Sequence, residues 1–386
     1  MPDTFTETTT TGWLDQIKNA IAGVLIGLVL FVVAFPALFI NEGCYVKDMK
    51  ALGELGLKTV SVSPDKVDPA NQGKPVHMIG EAKTDETLAD PDFAVSKNAI
   101  KLKRVAEMYQ WKENEEKKTE KQTGGKTVTT TTYKYEKKWS DDLIESSSFK
   151  HPEDHQNPAT MKFKSEEWKA ANVTVGAFKL SETLISAINN FTDLKMEDKD
   201  LAALSAAVKA EAKIAEGRFY LGKDSASPAI GDIRVGFKVA LPTTVSLIAQ
   251  QQDNSFVKFL AQNGREIDRL DVGTHTKDQM IASAKSEAKI KTWLIRLGGF
   301  LAMLIGLTLI AKPLVAVANV LPFLGDLVGG GAFIFAAVIA FGLTFITISV
   351  AWVFYRPLVG IPLLVVGLGA VVGFIVMKKR GKAPAA

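Results

Sequence analysis

The sequence predicts an α+β membrane protein. It has four transmembrane helices, one N-terminal and three C-terminal, and a large extramembrane, mainly antiparallel β domain containing a few helices. Three observations carry this. Four runs are apolar enough to cross a bilayer, with three of them crowded near the C-terminus. Residues 41–292 between the first and second runs are hydrophilic. Within that block, β-branched and aromatic residues flank Gly124-Gly125 as in a long hairpin.

Residues 1–19 form a polar tail. Its first twelve residues are Thr-rich and expected to be disordered, and Trp13 serves as an interfacial anchor. The first span, 20–40, contains no ionisable residue and satisfies the requirement of ~20 apolar residues for crossing hydrocarbon. Its flank has Lys18 among Asp3, Glu7 and Asp15, and bulky Leu38-Phe39-Ile40 makes a poor cleavage site, so it reads as a retained signal anchor. Asn41-Glu42-Gly43 is expected to break the helix.

In the block 41–292, Lys126 to Trp139 is rich in Thr, Val, Tyr and Lys and reads as the second arm of the hairpin, whose charged tip is expected to project into water. Ser181 to Phe191 and Asp200 to Glu216 show helical spacing, the latter stopping at Gly217. Strands are expected at Ile233 to Val239, Thr244 to Ala249 and Phe256 to Leu260. From Lys277 a helix is expected to continue into the second span, 293–313. The third span is 327–354, the fourth 358–377, and a basic tail occupies 378–386. Tyr355-Arg356-Pro357 lies between the last two spans and reads as a sharp hairpin, its proline ending a helix.

Lys378, Lys379, Arg380 and Lys382 directly follow the fourth span and place the C-terminus in the cytoplasm. Four crossings then put the N-terminus there too, with the large domain in a periplasm or an organelle lumen. The net charge of +4 over 386 residues is too small to argue for nucleic acid as a partner. A lone cysteine, Cys44, excludes an internal disulfide framework.

Small residues recur within every span: Gly23 and Gly27; Gly298, Ala302 and Gly306; Ala332, Ala336 and Ala340; Gly369 and Gly373. Four-residue spacing keeps each set on one face, where backbones can approach closely, so these positions are read as helix-packing sites in a bundle or a homo-oligomer. The central part of each span has no ionisable residue, which argues against a transporter or pump.

Catalytic signatures are weak. His151-Pro152-Glu153-Asp154-His155 lacks the spacing of a helical zinc motif, and Pro152 disfavours a helix. Gly124-Gly125-Lys126-Thr127 lacks the upstream glycine of a phosphate-binding loop. No catalytic residue, metal site or cofactor is expected. The reading is a non-enzymatic membrane organiser or scaffold, with a membrane-tethered hydrolase and a channel or lipid conduit as alternatives. The expected partners are the lipid bilayer, further copies of the chain and other membrane proteins.

Met108-Tyr109-Gln110-Trp111 is followed in order by Tyr133, Tyr135 and Trp139, by His155 with Asn157-Pro158 and Met161, and by Gly231-Asp232-Ile233-Arg234-Val235 with Phe237. Lys291-Thr292-Trp293 and Phe354-Tyr355-Arg356-Pro357-Leu358 complete the series. In this order the chain resembles the transmembrane protein 43 (LUMA) family from about residue 20 to 377. The resemblance implies four spans and a lumenal or exoplasmic domain. It also implies structural roles for Tyr109, Trp111, His155, Asn157, Pro158, Asp232, Arg234, Trp293, Tyr355, Arg356 and Pro357. Animal members look like organisers of the nuclear envelope and endoplasmic reticulum that self-associate and are linked to emerin and lamins. The charged hairpin and the Ala-rich helix depart from the family pattern. The expected locations are the endoplasmic reticulum or inner nuclear membrane with a lumenal domain, or a bacterial inner membrane with a periplasmic one.

Overall fold

The computed structural model describes residues 3–362 and 365. The chain divides into two units. The first comprises Met1–Glu7, Gly53–Lys117 and Thr131–Ile281, and the second Thr8–Leu52, Lys118–Thr130 and Ala282–Ala386.

The helices are α1 (Trp13–Lys58), α2 (Glu182–Ala187), α3 (Asp198–Ala203), α4 (Ala206–Lys209), α5 (Lys277–Ala318) and α6 (Pro322–Tyr355). An eight-stranded sheet contains β1 (Thr4–Thr11), β6 (Lys101–Gln122), β7 (Lys126–Ser140), β8 (Glu166–Lys169), β11 (Thr192–Leu194), β12 (Ala212–Ala215), β13 (Arg218–Leu221) and β14 (Ile233–Ala240). A seven-stranded sheet contains β2 (Val60–Ser61), β3 (Pro75–Lys83), β9 (Thr174–Val175), β10 (Phe178–Lys179), β15 (Thr243–Gln252), β16 (Ser255–Val257) and β19 (Arg269–Val272). Two small ribbons pair β4 (Thr87–Ala89) with β5 (Ser96–Asn98), and β17 (Phe259–Leu260) with β18 (Glu266–Ile267).

The first sheet runs β1-β7-β6-β14-β13-β12, with β8 on β6 and β11 on β14. Alternation explains its two faces. In β14, Ile233, Val235, Phe237 and Val239 are buried, while Arg234, Gly236 and Lys238 between them are half-buried. In β6, Leu102, Ala106 and Met108 join the same core. The second sheet contributes Val76 and Met78 from β3 and Val245 and Leu247 from β15 to that core, so one cluster serves both sheets. Apart from the parallel β2–β3 pair, the strand registers resolved in these sheets are antiparallel. Arg104 enters the core side from β6 and is neutralised by Asp90 and Asp92, each at 2.7 Å, and by Glu166 at 3.0 Å.

In the second unit, α1, α5 and α6 are the helices long and apolar enough to cross a membrane. Helix α1 packs antiparallel to α5 at a glycine crossing. A Cβ on Gly27 would stand 2.7 Å from the Gly306 carbonyl oxygen, and one on Gly306 2.7 Å from that of Gly27. Ala34, Leu38, Met303 and Ala340 fill the centre, surrounded by Phe31, Phe35, Phe300 and Leu343.

Several expectations are corrected here. The Thr-rich start is the strand β1, because β-branched threonines suit an extended edge beside β7. Asn41-Glu42-Gly43 does not break the first helix, which runs on to Lys58. All three residues are buried, so tertiary contacts outweigh the weak helix propensity of glycine. The second helix passes through Lys312-Pro313 to Ala318. The stretch expected as one helix to Glu216 is two short helices followed by β12, whose pairing with β13 overrides local propensity. The hairpin tip is not free in water: Gly124 N–H donates to the Val320 carbonyl at 3.0 Å, and Lys121 pairs with Asp326 at 2.7 Å. Helical conformation resumes after Arg356 over 357–362. Most of the remaining fourth span, with Gly369 and Gly373, and the whole tail 378–386 lie outside the described residues.

Candidate functional site

Two constellations gather the singled-out residues, one in each unit. The first lies on the outer face of the eight-stranded sheet. Alternation along β6 turns Glu107, Tyr109 and Trp111 to this face, and β7 adds Trp139. The Arg234 guanidinium sits 4.5 Å from the centre of the Trp139 ring and forks onto Glu107 at 2.7 and 3.1 Å. Arg218 reaches the same Glu107 carboxylate at 3.2 Å. Tyr109 stacks obliquely on Trp139 at 5.1 Å, and its backbone is tied to Asp232 O and Gly231 N.

Asp232 works as a turn clamp. Its carboxylate accepts the Ala229 N–H at 2.8 Å and a hydrogen bond from the Tyr220 hydroxyl. Burial and that carboxylate push the Tyr220 hydroxyl well above the ordinary phenol range. A side chain at Gly222 would collide with the Asp232 carboxylate and displace this clamp.

Asn157 serves as a surrogate strand. Its Oδ1 accepts Trp111 N–H at 2.7 Å, while its Nδ2 donates to Trp111 O at 2.9 Å and Ile144 O at 3.1 Å. Pro158 lies under Gly231, where a Cβ would come within 3.2 Å of its ring. His155 is buried, stacked on Tyr135 at 3.8 Å and edge-on to Trp111 at 4.7 Å. Its Nδ1–H donates to the His151 carbonyl at 3.0 Å. The imidazole pair of the hydrolase alternative is thus engaged in packing: His151 stacks on Phe5 at 4.2 Å. Among the described residues there is no group of three or more metal-ligating side chains suited to a metal ion.

The second constellation joins the three apolar helices. Glu42, fully buried in α1, accepts from Arg296 Nε and Nη2 at 2.6 and 2.7 Å and from Trp352 Nε1–H at 2.7 Å. The Arg296 guanidinium lies 4.7 Å from the Trp293 ring and 5.7 Å from that of Trp352. Tyr355 fills the space over Gly43, where a Cβ would meet its ring at 2.5 Å. Arg356 covers Tyr45 at 4.9 Å, and its backbone, with φ of −141° and ψ of 63°, leaves the helical region before Pro357 and ends α6.

The packing ladders divide. Gly27 and Gly306 meet, Ala336 and Ala340 are buried, and Ala302 is half-buried against the central cluster. A Cβ on Gly23 would lie 3.8 Å from Leu309 at its nearest, Ala332 is half-buried, and Gly298 faces open space. The neighbouring Gly299 instead meets Leu38. Trp352, Glu107 and Arg218 were not singled out from the sequence, and Glu42 entered only as part of an expected helix break. The available signal was one acidic and one basic residue at the ends of two apolar runs, Glu42 and Arg296.

Apolar helices knotted by a buried ion pair, together with an antiparallel sheet domain, define a multi-helix membrane protein. The sequence profile of the Transmembrane protein 43 family matches residues 108–357. The chain is 33% identical to the human Transmembrane protein 43, covering 96% of this chain and 92% of that protein. It is 32% identical to the Rattus norvegicus protein over 90% of this chain and 88% of the relative. It is 28% identical to the Drosophila melanogaster Transmembrane protein 43 homolog, over 91% and 93%. This chain belongs to the Transmembrane protein 43 family. No solved structure matches it.

Proposed function

We propose that this protein is a non-enzymatic membrane organiser. It self-associates through its apolar helices, with a fourth span over 358–377, and offers its sheet domain to other membrane proteins as a docking module. The observation that supports this reading is the filled centre of the helix bundle. Ala34, Leu38, Met303 and Ala340 close the interior, and the Glu42–Arg296 pair buried among the helices is internally neutralised. That arrangement suits a structural bundle better than a conduit, which needs polar groups along a path.

Gly27 and Gly306 are used within the chain, so contact between copies falls to small residues that remain open, such as Gly298. Light scattering of the purified chain in detergent tests this. Assembly above the monomer is expected, and Gly298→Leu or Gly369→Leu should weaken it. A monomer at all concentrations, or steady ion or lipid flux in liposomes, would replace this reading with another.

A further inference from the structure

A cavity of about 310 Å³ opens on the outer sheet face, walled by Trp139, Glu216, Arg218, Tyr220, Ser225 and Arg234. Its charges are separated into two poles. At one, two guanidiniums share the single Glu107 carboxylate: Arg234 uses Nε and Nη2, and Arg218 uses Nη1. Arg234 Nη1 and Arg218 Nε and Nη2 keep donor capacity beyond these bonds. At the other pole stands Glu216, exposed and in no ion pair within 4 Å of a described lysine or arginine. Glu216 and Gly217 form the two-residue turn between β12 and β13, with φ of 51° and 70°. Such turns favour Asn-Gly; glutamate in the left-handed region is strained, and strain of this kind concentrates at ligand sites. Gly236 leaves room for the Arg218 stem, which lies 3.3 Å from where a Cβ would be.

We propose that this cavity binds a phosphoethanolamine-type zwitterion, the phosphate on Arg218 and Arg234 and the ammonium on Glu216. Guanidiniums approaching from two strands suit the several oxygens of a phosphate better than a single carboxylate, which one fork already satisfies. Glu216 supplies the opposite pole that a simple anion site would lack. The volume lies at the small end of ligand pockets, matching a headgroup-sized molecule.

Calorimetric titration of the full chain in detergent with O-phosphoethanolamine tests this. Saturable binding is expected. Arg218→Gln should weaken both O-phosphoethanolamine and inorganic phosphate by about tenfold or more. Glu216→Gln should weaken O-phosphoethanolamine and leave inorganic phosphate unchanged. Short-chain phosphatidylethanolamine below its micellar concentration separates the sources. Tighter binding than O-phosphoethanolamine assigns the site to a lipid headgroup, and equal or weaker binding to a soluble phosphoester. Arg218→Lys, which keeps charge and bulk but loses the fork, should fall between wild type and Arg218→Gln, and thermal melting verifies that each variant is folded. No saturable binding at millimolar probe, binding indifferent to Arg218→Gln in folded protein, or equal weakening of both probes by Glu216→Gln would overturn the assignment.

Discussion

Glu42 and Arg296, 254 residues apart, form a two-pronged ion pair at 2.6 and 2.7 Å that pins α1 to α5. Removing one partner leaves the other buried and unpaired, a loss of about 3–5 kcal/mol. Arg296→Ala or Glu42→Ala should therefore lower the melting temperature of the detergent-solubilised protein sharply. Replacing both with leucine should recover much of the loss. A double variant as unstable as the singles would deny that the pair acts as a unit.

Gly27 lies where two backbones touch. Gly27→Leu has no space to occupy and should destabilise the helix bundle by at least ~1–3 kcal/mol, whereas Gly298→Leu, facing open space, should leave monomer stability within about 0.5 kcal/mol of wild type. Melting of the two variants side by side checks the contrast.

Asn157→Ala removes three hydrogen bonds to the backbones of Trp111 and Ile144. The part-buried backbone groups left without these partners should cost about 1–3 kcal/mol. Hydrogen exchange at Trp111 and its neighbours should rise, with little change elsewhere in the sheet domain.

Tyr135 donates to Glu113, and burial pushes its hydroxyl up to about 12 from 10.0. The folded state therefore holds this proton more tightly than the unfolded chain. Its stabilisation is complete below pH 10 and is lost as pH rises from there through about 12. Tyr135→Phe should flatten that alkaline loss in a series of melts between these limits.

Lys121→Cys and Asp326→Cys, introduced into a Cys44→Ser background, should be joined by a short bismaleimide within one chain, because the native side chains meet at 2.7 Å. The hairpin arms carry Lys112, Glu113, Glu115, Glu116 and Lys117, which do not enter hydrocarbon alone. A link within one chain would show that the hairpin tip and the turn between α5 and α6 are neighbours in the folded protein. Failure to link would return the tip to open water.

Much of the fold was legible because its signals are local. Apolar runs announced α1, α5 and α6, and Gly124-Gly125 between β-rich arms announced the hairpin. The end of α1 was hidden because polar residues after Ile40 are stabilised by partners on other helices. Ala212–Ala215 read as helix because only its distant partner β13 makes it a strand. The site was half legible. Tyr109 and Trp111 alternate visibly, but Glu107 meets Arg218 and Arg234 from strands more than a hundred residues away. Spacing identified small faces on the helices, yet it could not distinguish Gly298 from Gly299, since that depends on the rotation of α5 against Leu38.

The strand β1 caps the hairpin side of the large sheet. Deleting it would strip the cover from β7 and bare a row of unsatisfied amides and carbonyls, a template for fibril-like stacking between molecules. Purification handles therefore belong well away from Thr4–Thr11, and a preparation trimmed there should precipitate on standing while intact chain stays dispersed.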